Sequence, residues 1–113
     1  MPRQNLTHET LPLPVAREVT RLGQNIARAR SRRGLKQADL AKKTGLAVGT
    51  LKRIEEGSAT TAISAYFAAL WAMGLEREFE NLGSPDRDEE GKTLEMARQP
   101  KRVRPSGGLD ADF

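Results

Sequence analysis

A chain of 113 residues with 37% hydrophobic and only 4% aromatic content can build one small aliphatic core and little more. It has no cysteine, which excludes a disulfide framework, a thiol nucleophile and a Cys-based zinc site. The net charge of +4 is uneven: residues 1–60 carry 12 Lys/Arg against 5 Asp/Glu, residues 61–113 carry 7 against 10, so a polyanion would be drawn to the first half.

No apolar run approaches the ~18 residues of a membrane span, and the N-terminus lacks the apolar centre of a signal peptide. A soluble, cytoplasmic protein is therefore expected. Residues 1–14 carry three prolines and no period, and read as a flexible N-terminal arm with its lone His8 in water. A first helix is predicted from near Pro14, a residue tolerated in a first turn, to about Arg33. Val15, Val19, Leu22, Ile26 and Ala29 would form its apolar stripe. Arg17, Arg21, Arg28, Arg32 and Arg33 lie off that stripe.

The stretch Gln37–Gly57, QADLAKKTGLAVGTLKRIEEG, organises the rest. Gln37 to Lys43 reads as a short helix with Leu40 and Ala41 inward, and Gly45 can turn the chain with φ > 0. In the next helix, Ala47 to Glu56, residues Ala47, Leu51 and Ile54 share one face. Val48, Gly49, Lys52, Arg53 and Glu56 share the other. Two short helices joined through glycine, one with a basic outer face, form a helix-turn-helix pattern.

Ser58 to Thr61 offers capping hydroxyls for a fourth helix, Ala62 to Met73. Ile63, Phe67 and Leu70 are expected inward, with Tyr66 or Trp71 at the flank. Leu75 to Leu82 reads as a fifth helix whose Leu75, Phe79 and Leu82 would close the core or meet a second copy. The domain thus runs over residues 15–82. Residues 83–113 form a C-terminal extension, acidic first and basic later, with a marginal helix from about Pro85 to Arg98 favoured by its macrodipole. Beyond Pro100 disorder is expected.

Two motifs fail on inspection. Asp86 to Ala97 begins like a calcium loop, but its twelfth place is Ala97 where a bidentate Glu is needed. Gly91-Lys92-Thr93 lacks the glycine five residues earlier that a phosphate loop requires, since that place is Asp86. Neither metal nor cofactor is expected, and no catalytic constellation is visible. Binding rather than catalysis is the expectation.

The run IARARSRRGLKQADLAKKTGLAVGTLKRIEEG, followed by LWAMGL, closely resembles the Xre family of Cro-type helix-turn-helix regulators over roughly Leu22 to Leu82. The resemblance implies an all-α, five-helix, lambda-repressor-like domain with a partly disordered C-terminal tail. It implies a sequence-specific transcriptional repressor that binds double-stranded operator DNA as a homodimer. It also implies that Gln37 bonds a backbone phosphate and that Val48, Gly49, Thr50, Lys52 and Arg53 face DNA. Arg30 and Glu55 match a structural ion pair of that family.

Lys52 and Arg53 can donate to guanine O6/N7 or neutralise phosphate, whereas Val48 offers a thymine methyl only apolar contact. Thr50 suits phosphate or a base edge. Val48 and Gly49 replace side chains that are polar in many relatives, which moves the expected specificity toward Lys52, Arg53 and DNA shape. Lys36 and Ala47 stand where capping hydroxyls are common, so both short helices should be slightly weakened. The tail SPDRDEEGKTLEMARQPKRVR, ending in LDADF, resembles the HipB-like antitoxins that bind a HipA-type kinase toxin and autoregulate their operon. The alternatives are a free-standing Xre-type regulator and a protein-interaction adaptor with loose DNA binding.

Overall fold

The computed structural model describes residues 6–100, and every regular element among them is helical. They divide into two compact units, one ending at Glu80 and the next starting at Asn81. The first is built on α1 (Leu13–Arg32), α2 (Gln37–Thr44), α3 (Val48–Glu55) and α4 (Ile63–Ala72). These ranges fall within a residue or two of the expected ones.

Ile26 of α1, Leu40 of α2, and Leu51 and Ile54 of α3 have no exposed surface, and they form the centre of the core. Ala41, Tyr66, Ala69, Leu70 and Met73 complete it, with Val19, Leu22, Ala29, Leu46, Phe67 and Phe79 packed at its edge. Each helix contributes a narrow stripe, so the core depends on four helices meeting at once.

Val19, Leu22, Ile26 and Ala29 of α1 and Phe67 and Leu70 of α4 pack inward as expected, and the departures are at the start of α1 and on the flanks of α4. In α1, Val15 is 44% exposed and its neighbour Ala16 is buried instead. In α4, Ile63 is 65% exposed and Trp71 61%, while Tyr66 is buried. The inward positions of α4 are thus Tyr66, Ala69, Leu70 and Met73, the i, i+3, i+4, i+7 set of one face. Because α4 has no charged residue, its sequence carries no polar face to fix the phase. Tyr66 tolerates burial because its hydroxyl donates to the Ser58 carbonyl at 2.6 Å. Burial also pushes that phenol above its ordinary value of 10.0.

The expected helix from Leu75 to Leu82 is a 3-10 helix over Glu76–Asn81. Glu76 and Glu80 would repel as an i, i+4 pair in an α-helix, which disfavours the longer form. Phe79 still reaches the core edge, stacking on Phe67 with ring centroids 4.3 Å apart, but Leu82 is exposed.

In the second unit the expected helix from Pro85 is split. A short 3-10 turn covers Pro85–Arg87, and α5 spans Glu89–Arg98. Asp88 separates them: its Oδ1 accepts the Gly91 N–H at 2.9 Å and caps α5. Lys92 Nζ donates to the Asp86 carbonyl at 2.7 Å and pairs with Glu89 at 3.2 Å. α5 buries none of its residues. The tail expected to be disordered beyond Pro100 lies outside the described residues, as does the arm up to Asn5.

Candidate nucleic-acid interface

The position of α3 is fixed at both ends by backbone geometry. At its start, Gly45 adopts φ 76°, and the Leu46 N–H donates to the Ala41 carbonyl at 3.1 Å. Thr44 Oγ1 takes a second bond from that N–H at 3.1 Å. A small residue, Ala41, lies where α2 and α3 cross and is 2% exposed. At its end, α3 abuts Gly23 of α1 so closely that a Cβ there would overlap the Ile54 carbonyl oxygen and sit 2.9 Å from Gly57 N.

A polar clamp joins the same elements from the side. Arg30 Nε donates to Glu55 Oε2 at 2.7 Å and its Nη2 to Oε1 at 3.0 Å, a bidentate pair. Arg30 Nη1 donates to the Leu35 carbonyl at 2.8 Å, so the α1–α2 turn is held as well. The two side chains are 18% and 7% exposed. The bond to Glu55 raises the Arg30 pKa above its ordinary value, against the opposing pull of burial. Gln37 is part of this clamp: its Nε2 donates to Glu55 Oε1 at 2.8 Å. An amide nitrogen has two hydrogens, so one remains for an acceptor outside the protein.

With Leu51 and Ile54 buried, the opposite face of α3 is in solvent. Val48, Gly49, Lys52 and Arg53 are exposed and Thr50 is half-buried. Arg53 lies back along the helix, its Nη2 donating to Thr50 Oγ1 at 3.3 Å. Its Nη1 passes 3.8 Å from where a Cβ on Gly49 would stand. That is ordinary van der Waals distance, so the guanidinium lies over Gly49 without depending on the missing side chain.

On α2, Lys42 and Lys43 are exposed too. Among the described residues the ion pairs are Arg21–Glu18, Arg30–Glu55 and Lys92–Glu89. None uses Lys42, Lys43, Lys52 or Arg53, so these four side chains keep their charge for an outside anion. The start of α2 is better held than Lys36 suggested, because Asp39 Oδ2 accepts the Lys36 N–H at 2.9 Å. Ala47 gives α3 no side-chain cap.

His8 is exposed, as expected, and its Nε2 also lies 2.6 Å from the Gly57 carbonyl oxygen. Thr7 and Thr10 shape the turn that brings it there, the Thr7 N–H donating to Thr10 Oγ1 at 2.8 Å. The sequence signal was the Thr7–Thr10 spacing, which favours a local turn. Nothing in it pointed to Gly57. Among the described residues no group of three His, Cys, Asp or Glu could hold a metal ion, and no helix is long and apolar enough to cross a membrane.

Comparison with known proteins adds one finding. A family model described as a helix-turn-helix domain matches residues 21–78, which takes in the second half of α1, all of α2 to α4 and the clamp. No curated protein matches the sequence.

Proposed function

The chain belongs to the helix-turn-helix domain family, a family of DNA-binding regulators, and from that premise we propose a sequence-specific repressor of the Xre type. The observation that carries this reading is the orientation of α3. It buries Leu51 and Ile54 while Lys52 and Arg53 stand in solvent without an acidic partner. Placed in the major groove, Arg53 donates to guanine O6/N7, Lys52 to a base edge or phosphate, and Val48 touches a thymine methyl. Gly49 lets the helix approach closely, Thr50 bonds phosphate, and Gln37 offers its second amide hydrogen to the backbone.

Arg53→Ala should weaken binding to a duplex selected from a randomised pool by ~1–3 kcal/mol, about 5- to 150-fold. An unchanged affinity in a footprinting titration would remove Arg53 from the interface. Failure to select any duplex over scrambled DNA at physiological salt would favour the adaptor reading instead.

An eight-residue α3 reaches few bases, so useful affinity calls for two copies on half-sites about 34 Å apart. The protein acts in this reading as a cytoplasmic homodimer. We further propose the antitoxin role, with a HipA-type kinase toxin as partner. The favouring observation is α5, which buries nothing and exposes Leu94 and Met96, as a helix awaiting another protein would. Light scattering should give a dimer mass at micromolar concentration, and the product of an adjoining kinase reading frame should co-purify. A monomer with and without DNA would sink the first proposal, and absence of co-purification the second.

A further inference from the structure

α1 carries more charge than its place in the fold requires. Of its arginines, Arg30 is committed to Glu55 and Leu35. Arg33, just past its end, donates to the Ala29 and Met73 carbonyls at 3.0 and 3.1 Å. Arg17, Arg21, Arg28 and Arg32 are different. All four are exposed, and among the described residues only Arg21 pairs with an acid, Glu18 at 3.6 Å, with both side chains about two-thirds exposed.

Their spacing is i, i+4, i+11 and i+15, with exposed Gln24 at i+7 filling the gap. That is a single straight row on one helical face. At 1.5 Å per residue it runs about 22 Å. The row works against the helix that bears it. Arg17–Arg21 and Arg28–Arg32 are like-charged i, i+4 pairs, which destabilise a helix. A face that repels itself and stays exposed among the described residues is explained by an outside polyanion.

We propose that this row is a second nucleic-acid surface, tracking the sugar–phosphate backbone of a duplex outside the bases read by α3. The proposal rests on the DNA-binding reading above. A single strand of duplex presents one phosphate per ~3.4 Å of axis, so a row of about 22 Å spans some six phosphates. Arginine suits that target, because its fork grips phosphate oxygens in pairs. The row carries no base-reading chemistry beyond Gln24, so its contribution is affinity and on-rate rather than sequence choice.

The test is the salt dependence of binding by the full chain to a mixed-sequence 30-base-pair duplex, followed by fluorescence anisotropy. The variants are Arg17→Gln/Arg21→Gln/Arg28→Gln and, separately, Arg53→Ala. If three phosphate contacts are lost, the slope of log K against log salt should fall by about 2.7, and affinity near 0.1 M salt should drop about ten- to a hundred-fold. The ratio of selected to scrambled duplex should stay the same, whereas Arg53→Ala should lower that ratio. An unchanged slope in the triple variant, with intact binding by the unaltered protein, overturns this inference alone. An unchanged slope joined to a changed oligomeric mass overturns it in favour of a protein partner for the row. Absence of binding by the unaltered protein would instead overturn the proposed function.

Discussion

Replacing Arg30 with Ala should destabilise the first unit by about 3–5 kcal/mol, the range for breaking a buried ion pair by removing one partner. The reason lies with the residue left behind. Glu55 is 7% exposed at its side chain and takes two bonds from Arg30 and one from Gln37. Without Arg30 it keeps a single neutral donor for a carboxylate that water barely reaches. A domain of this size has a total stability of about 5–15 kcal/mol, so the variant should lose a large share of it and unfold at a clearly lower urea concentration. Glu55→Gln should cost less, since the amide oxygen can still accept from Arg30 or Gln37 and Arg30, 18% exposed, keeps the Leu35 carbonyl. Urea denaturation of Arg30→Ala, Glu55→Ala and the double variant measures the coupling directly. A coupling near zero would make the clamp an incidental contact.

How much of this was legible beforehand differs from element to element. α2, α3 and the turn between them were readable because each carries a full set of local signals. These are Gly45 at the turn, an apolar stripe of fixed phase, and charges on the opposite side. Arg30 and Glu55 are 25 residues apart, and no periodicity joins them, so only the family resemblance proposed their pairing. α4 was readable as a helix but not at its flanks. Its side chains are apolar or small all round, and the choice between Ile63 and Tyr66 is made by Ser58, whose carbonyl satisfies the phenol. The segment after Gly74 is helical, as the spacing of Leu75, Phe79 and Leu82 suggests, but takes the 3-10 form, since Glu76 and Glu80 would repel one α-helical turn apart. The anchoring of His8 and the tight seat of Gly23 are long-range backbone contacts, for which a sequence offers no local sign.

That last class of contact yields the second large effect, at Gly57. Its φ is +79°, and a Cβ there would stand 2.7 Å from Thr20 Cα and 3.3 Å from Thr20 N. Both atoms belong to the backbone of a long helix and cannot rotate aside. Gly57→Ala therefore combines left-handed strain of ~1–2 kcal/mol with an overpacking cost of ~1–3 kcal/mol, roughly 2–5 kcal/mol together. Gly45 separates the two causes, because it has nearly the same φ, 76°, with nothing within 4 Å of its Cβ position. Gly45→Ala should show the strain alone, about 1–2 kcal/mol. The surplus at Gly57 measures how closely α1 seats the end of α3. Because that seat sets the angle at which Lys52 and Arg53 leave the protein, Gly57→Ala should also lose DNA affinity at temperatures where it remains folded, and Gly45→Ala should lose less. Equal stability losses at the two glycines would mean that α1 yields freely, and the rigid presentation of α3 would then need another source.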